Sequence, residues 1–116
     1  MELIFRELHR VLKPGGYFTF VTNSEVLYSK KWLTLSTEYK ADRKFVNGEK
    51  VQIFLKDIGC NLYDYYWDHH TYLKLIEKSN FRIHSHISPL GLPSENYQWE
   101  EELNFSPYSI YTICKD

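Results

Sequence analysis

Residues 7–18 of this 116-residue chain read Glu7-Leu8-His9-Arg10-Val11-Leu12-Lys13-Pro14-Gly15-Gly16-Tyr17-Phe18. Apolar residues recur at helical spacing up to the proline, which predicts an amphipathic helix over residues 1–12. Pro14 stops this helix because the residue before a proline is pushed out of the helical region, and Gly15-Gly16 permits a sharp reversal. Residues 17–22 are apolar on both faces, which predicts a strand in the interior of a sheet.

The elements that follow are read from spacing and turn residues. Aromatic and leucine residues at helical spacing predict a helix over residues 24–40. Asn47-Gly48 is a strong turn signal, and the segments 51–55 and 61–67 on its far side predict a β-hairpin. Asp68 is suited to cap a helix over 69–78, and Asn80 is suited to end it in a left-handed conformation.

The C-terminal third predicts strands at 81–87 and 108–114, joined by a loop over 89–106. We expect the acidic run Glu100-Glu101-Glu102 in this loop to be solvated. The order helix, strand, insertion, helix, strand, loop, strand is typical of an α/β layer architecture in a single unit spanning residues 1–116.

Composition excludes several classes of protein. Fourteen Lys and Arg residues against fifteen Asp and Glu give a net charge of −1, so a dedicated nucleic-acid binder is not expected. A hydrophobic content of 43% argues against disorder, and the short apolar runs predict no membrane span. Met1 leads directly into an amphipathic pattern with no secretory signal, and Cys60 and Cys114 are expected to be free thiols, which predicts a cytoplasmic protein.

Three segments together resemble class I S-adenosylmethionine-dependent methyltransferases. The first is the quoted run, which is similar to the family's Glu-x-x-Arg-Val-Leu-Lys-Pro-Gly-Gly helix end before its fifth strand. The second, residues 72–83, resembles the family's next helix and sixth strand, with Asn80 where the family usually has glycine. The third, Pro107-Tyr108-Ser109-Ile110-Tyr111-Thr112-Ile113, resembles its seventh, antiparallel strand.

The resemblance implies an α/β fold: the C-terminal part of a Rossmann-like methyltransferase sheet, with strands 5, 6 and 7, flanking helices and an inserted β-hairpin. The family holds its cofactor with a glycine-rich loop after the first strand, and the five glycines here, at positions 15, 16, 48, 59 and 91, form no such loop. We therefore expect residues 1–116 to be a single partial domain without the cofactor-binding half. S-adenosylmethionine is the cofactor implied for the complete enzyme, and the chain alone is expected to bind none and to be inactive.

The densest polar-aromatic cluster supplies the candidate site. Tyr63, Tyr65, Tyr66 and Trp67 are candidate substrate-binding residues, because the family builds acceptor pockets from insertions and aromatic rings hold planar groups. His69 or His70 is the candidate catalytic base that takes the acceptor's proton. The alternative is that these aromatics only pack a sheet beside an ordinary capped helix.

Two further histidines, His84 and His86, are expected to leave the same face of their strand. Together with Asp68, His69 and His70 they are the residue types that could bind a metal ion. Their spacing is not that of zinc ligands, and we assign no metal ligand.

The function predicted is therefore methyl transfer to an unidentified small acceptor in the complete enzyme. The alternative is a non-enzymatic interaction or dimerisation module derived from that fold. In either case, the apolar strand 17–22 would be left as an unpaired edge. We expect that edge to bind the missing N-terminal half or a second copy of the chain, so that a homo-oligomer is anticipated, with no nucleic-acid or membrane partner.

Overall fold

The computed structural model describes all residues, 1–116, as two small sheets and two helices. The elements in chain order are α1 (Glu2–Val11), β1 (Tyr17–Asn23), β2 (Leu35–Ser36), β3 (Lys50–Leu55), β4 (Cys60–Tyr65), α2 (His69–Lys78), β5 (Phe81–Ile87) and β6 (Tyr108–Lys115). Short 3-10 turns lie at Leu27–Ser29 and Glu101–Leu103. No helix is both long enough and apolar enough to cross a bilayer.

The larger sheet has the strand order β1-β6-β5. The central strand β6 runs antiparallel to both neighbours, so β1 and β5 are parallel to each other. Two parallel strands closed by one antiparallel partner are the arrangement expected for strands 5, 7 and 6 of the family. The outer edge of β1 pairs with nothing in this chain, which is the unpaired edge expected of residues 17–22.

The turn after α1 explains why the quoted run contains two glycines. Gly15 has φ +79°, and a Cβ on Gly16 would lie 2.8 Å from the Lys13 carbonyl oxygen, so neither position suits a side chain. The Gly15 N–H donates to the Lys115 carbonyl, and the Lys115 N–H donates to Gly16. The Lys115 ammonium also donates to the carbonyls of His9 and Leu12 at the end of α1. The turn is thereby fastened to the end of β6.

Both helices cover one face of the larger sheet. Phe5 packs edge-on against Phe20, with ring centroids 5.4 Å apart, and joins a buried cluster with Leu75, Ile76 and Ile113. The burial along β1 alternates, because one face lies under the helices and the other is exposed. The expectation that both faces of residues 17–22 are buried is therefore wrong. Alternating burial is what a strand with one covered face should show.

Helix α1 buries less of its apolar surface than its spacing predicts. Leu8 and Leu12 pack against the core together with Phe5. Ile4 and Val11, also expected to face inward, are 63% and 62% exposed, and Leu3 beside them is 70% exposed. An apolar stripe of Leu3, Ile4 and Val11 therefore faces outward along α1.

The second sheet has the order β2-β3-β4, all antiparallel, and contains the expected hairpin. It packs on a core of its own whose members are Leu27, Tyr28, Trp32, Leu35, Val51 and Ile53. The helix expected over residues 24–40 is wrong: this segment is a loop with one 3-10 turn and the short strand β2. Its aromatic residues are buried by loop wrapping, and the Trp32 indole N–H donates to the Leu27 carbonyl.

A β-bulge lies in β5 between Ile83 and Ser85. The extra residue, His84, packs its ring beside Tyr17 at 5.0 Å, whereas the His86 ring stacks on Tyr111 at 4.5 Å. Tyr17 and Tyr111 lie on opposite faces of the sheet, because the partner of Tyr17 on β6 is three residues from Tyr111. The expectation that His84 and His86 share a face is therefore wrong, since the bulge reverses the alternation.

The acidic run of the long loop differs from expectation at Glu101 and Glu102. Glu102 is buried, and its carboxylate accepts hydrogen bonds from the backbone N–H groups of Leu33 and Glu100. Glu101 accepts from the N–H of Lys31. These carboxylates attach the loop to the segment before β2, which is why they are not simply solvated.

Candidate functional site

A cleft of about 420 Å³ opens where the carboxyl ends of the parallel strands β1 and β5 meet. Thr22 and Asn23 end β1, His86 and Ser88 lie at the end of β5, and Tyr111 stands on β6 between them. In open α/β sheets, ligands bind in the crevice outside the carboxyl ends of the strands. The position of this cleft therefore favours it over the other depressions of the surface.

The insertion forms the opposite wall of the cleft. Asn23 donates to the Asp64 carboxylate at 2.6 Å, which ties the end of β1 to the inner face of β4. The Ser24 N–H donates to Pro107, and the Ser24 hydroxyl donates to the Ser106 carbonyl. These bonds hold the two sheets and the loop before β6 around a common opening.

Three rings form a stack within the cleft. His69, the first residue of α2, has its Nδ1 2.6 Å from the Tyr111 hydroxyl. The His69 and His86 rings are nearly parallel with centroids 4.4 Å apart, and both rings also lie against Tyr111. The Tyr111 phenol therefore orients the His69 imidazole through Nδ1, which leaves Nε2 available to a ligand.

Helix α2 presents His69 at this place because its start is defined by side chains. The Asp68 carboxylate accepts from the Thr71 N–H, and the Asn47 side chain bonds both the Asp68 N–H and its carboxylate. These hydrogen bonds lower the pKa of Asp68, so the cap is ionised at neutral pH. Asp68 thus fixes the helix start, and with it the direction of His69.

Burial shifts the ionisation of the other rings. It raises the pKa of Tyr111 to about 12, with added opposition from Tyr72 and from the carboxylates of Glu25 and Asp68. Burial, and secondarily the neighbouring His69, lowers the pKa of His86. At neutral pH, Tyr111 is therefore a phenol and His86 a neutral imidazole.

The structure separates the candidate site residues into two groups. Trp67 and His69 line the cleft. Tyr66 instead packs in the second core, stacked on Phe45 at 5.2 Å. Tyr63 is 64% exposed on the outer face of the hairpin, under the Lys50 ammonium, and Tyr65 is 55% exposed on that same face. His70 is exposed and lies outside the cleft.

Sequence reasoning missed most of the cleft. The sequence places Tyr72 on a helix, Tyr111 on a strand and Phe105 in a loop without marking any of them as a site residue, yet all three line the opening. A signal was present for Tyr72, which lies three residues after His69 and so on the same face of α2. Tyr111 and Phe105 become visible only once β6 is paired with β1.

Two other possible kinds of site lack this combination of imidazole and phenol rings. No group of three or more His, Cys, Asp or Glu side chains is placed to hold a metal ion. A depression of about 400 Å³ on the second sheet is lined by Ser36, Gln52, Phe54 and Asn61 among others, and contains no imidazole. The paired imidazoles of His69 and His86 therefore distinguish the cleft of β1, β5 and β6 from the depression on the second sheet.

No protein-family model matches the chain, and no curated protein sequence matches it either. Among solved structures, a protein from Listeria monocytogenes assigned as an S-adenosylmethionine-dependent methyltransferase is similar over 100% of this chain and 55% of its own, with a TM-score of 0.72 and 18% identity. An S-adenosylmethionine-dependent methyltransferase from Mesorhizobium loti is similar over 98% and 54%, with a TM-score of 0.72 and 19% identity.

A third such methyltransferase, from Clostridium acetobutylicum, is similar over 98% of this chain and 50% of its own, with a TM-score of 0.52 and 15% identity. The chain thus spans about half the length of these relatives. Its fold is a partial Rossmann-like methyltransferase fold, as the Lys-Pro-Gly-Gly run and the order of elements predict. At these identities the likeness establishes the fold and not the reaction.

Proposed function

We propose that this chain forms the acceptor-binding side of an S-adenosylmethionine-dependent methyltransferase. One observation carries the proposal: in a methyltransferase fold, an oriented imidazole lies in a cleft at the carboxyl ends of the parallel strands. His69 is held by Tyr111 at 2.6 Å and lines the same opening as Trp67. An aromatic wall beside a candidate base suits a small acceptor that must be positioned and relieved of a proton.

The methyl donor does not fit the residues of this chain. β1 is followed by Ser24 and a 3-10 turn, and β5 is followed by Pro89, so neither strand enters a helix through a glycine-rich turn. Close approach of backbone to a nucleotide-like ligand requires such a turn. We therefore assign S-adenosylmethionine to the part of the relatives' fold that this chain does not span.

The proposed role of His69 is to accept a proton from the bound acceptor at Nε2. In the neutral tautomer with hydrogen on Nδ1, that N–H donates to the Tyr111 oxygen and the Nε2 lone pair is free. When Nε2 takes a proton, the same bond to Tyr111 holds the imidazolium in place. Tyr111 is therefore a positioning residue, which holds the His69 ring while it is itself a neutral phenol.

The test uses the complete protein, including whatever its reading frame encodes before Met1. We expect it to bind S-adenosylmethionine in calorimetry and to transfer labelled methyl groups to the small-molecule fraction of a host-cell extract. His69→Gln should lower turnover about a hundredfold or more with unchanged donor affinity. The matched control is His70→Gln, which alters the adjacent but outward imidazole. Equal activity of the two variants, or no donor site in the complete protein, would contradict the proposal.

We also propose that one surface binds the remainder of such a domain. The outer edge of β1 is unpaired, and the stripe of Leu3, Ile4 and Val11 lies exposed on α1. Only 16 of 116 residues are buried, and the radius of gyration is 15.8 Å against about 13 Å for a compact domain of this length. Sedimentation of the 116-residue chain should reveal self-association that Ile4→Glu abolishes; a monomer at high concentration would count against this surface.

A further inference from the structure

The cleft has an uneven distribution of charge. Glu25 is the one carboxylate among its lining residues, which also include two imidazoles, and no Lys or Arg lines it. Asp64 lies immediately behind the wall, because Asn23 joins the cleft to its carboxylate at 2.6 Å. A ligand in the cleft therefore meets the Glu25 carboxylate directly, with the Asp64 carboxylate behind Asn23.

Features that normally attract anions are absent or already engaged. His69, the first residue of α2, lines the cleft, and a helix amino end favours an anion, but the Asp68 carboxylate already accepts from the Thr71 N–H there. The Lys30 ammonium lies 4.1 Å from the centroid of the Phe105 ring, but Lys30 itself does not line the cleft. The cleft therefore offers little positive charge to attract a ligand that carries a carboxylate or phosphate.

The walls also include aromatic side chains. Trp67, Tyr72 and Phe105 line the opening, and an ammonium held over such a ring is attracted by its π electrons. The volume of about 420 Å³ is in the range of small-molecule sites and suits a ligand of one or two rings. Burial raises the pKa of Tyr111 in the cleft to about 12, and the carboxylates of Glu25 and Asp68 add to this opposition to its ionisation.

We propose that the cleft selects an aromatic ligand bearing an amine and rejects one bearing a carboxylate in the same place. The assignment of this ligand as the methyl acceptor rests on the proposed function. The selectivity itself rests on Glu25, Asp64 and the aromatic walls.

The experiment is a binding titration of the 116-residue chain at pH 7.5 and low salt with two probes. Tyramine and 4-hydroxyphenylacetate share a phenol ring and differ in the sign of the charge on their short side chain. We expect tyramine to bind about tenfold more tightly, since partly screened carboxylates attract one probe and repel the other. Broadened or shifted resonances of Trp67 and His69 should locate both probes in the cleft.

Glu25→Gln should reduce the preference to about threefold, because it removes the nearest of the carboxylates. The matched control is Glu77→Gln, the same change on the exposed face of α2, which should leave the preference intact. Equal affinities, a preference for the acid, binding of neither probe, or identical behaviour of the two variants each overturns the inference.

The two proposals fail in different ways. Amine-selective binding that depends on Glu25, combined with a complete protein that transfers no methyl group, overturns the proposed function and leaves the selectivity standing. Methyl transfer that depends on His69, combined with no preference between the probes, overturns the selectivity alone.

Discussion

Replacing Lys115 with methionine should detach the end of β6 from α1. The Lys115 ammonium donates to the His9 carbonyl and, at 2.9 Å, to the Leu12 carbonyl, two acceptors that the end of the helix leaves without intrahelical partners. Methionine keeps the apolar stem and removes only the charge and the donors. Hydrogen bonds to charged groups contribute roughly 1.5–3 kcal/mol when well shielded. Because this end is half-buried, the freed carbonyls regain water, and we expect a loss of about 1–2 kcal/mol for the pair.

The assay is urea unfolding at 25 °C followed by circular dichroism, with a thermal scan beside it. At about 2.1 cal/mol/K per residue, the expected loss corresponds to a fall in Tm of roughly 4–8 °C for a chain of this length. Amide exchange at Gly15 should accelerate, since its N–H bonds the Lys115 carbonyl. Lys74→Met, an exposed position on α2, is the control and should change stability by less than about 0.5 kcal/mol. If Lys115→Met resembles that control, the ammonium does not fasten the helix end.

Three smaller perturbations test other parts of the fold. Trp32→Ala should cost about 3–5 kcal/mol in urea unfolding, because it empties the centre of the second core; a loss below 1 kcal/mol would show that the loop can collapse into the space. Asn80→Gly should raise stability by a few tenths to about 1 kcal/mol, since Asn80 has φ +63°; a destabilised variant would mean its side chain contributes more than its conformation costs. Burial and the neighbouring His69 lower the pKa of His86, so on acidification the unfolded chain takes up a proton before the folded one. The free energy of unfolding should therefore fall as the pH drops below about 6.5, and His86→Asn should flatten this dependence. An unchanged slope in the variant would assign the dependence to other groups.

The parts of the fold that could be predicted are those coded by local chemistry. Pro14 and the glycine pair define the turn before β1, Asp68 caps α2, and Asn80 adopts the expected left-handed conformation. Each of these signals acts within a few residues, so tertiary packing had little opportunity to override it.

The segment 24–40 shows why other parts could not be predicted. Tyr28 and Trp32 are buried as their helical spacing suggested, but a loop wrapped over the second sheet buries them equally well. Periodicity reports which side chains are buried and cannot by itself report the backbone that buries them.

The cleft was only partly predictable for a related reason. Trp67 and His69 are neighbours in the sequence and were both identified as candidates, whereas His86 and Tyr111 reach them only through the pairing of β5 with β6. The exposed Tyr63 and Tyr65 lie beside them in the sequence but on a strand whose other face is turned inward. Predicting this arrangement requires the register of two strand pairs.

The bulge at His84 decides which side chain faces Tyr111. Because one residue of β5 is left unpaired there, His86 lies opposite Tyr111; in an unbroken ladder the same position would be taken by Ser85. A one-residue slip would thus exchange an imidazole for a hydroxymethyl group while every other strand stayed in place. Deletion of His84, by contrast, would remove the bulge from the strand and keep His86 opposite Tyr111. The chemistry of this opening can therefore be altered by the length of one strand as readily as by the identity of its residues.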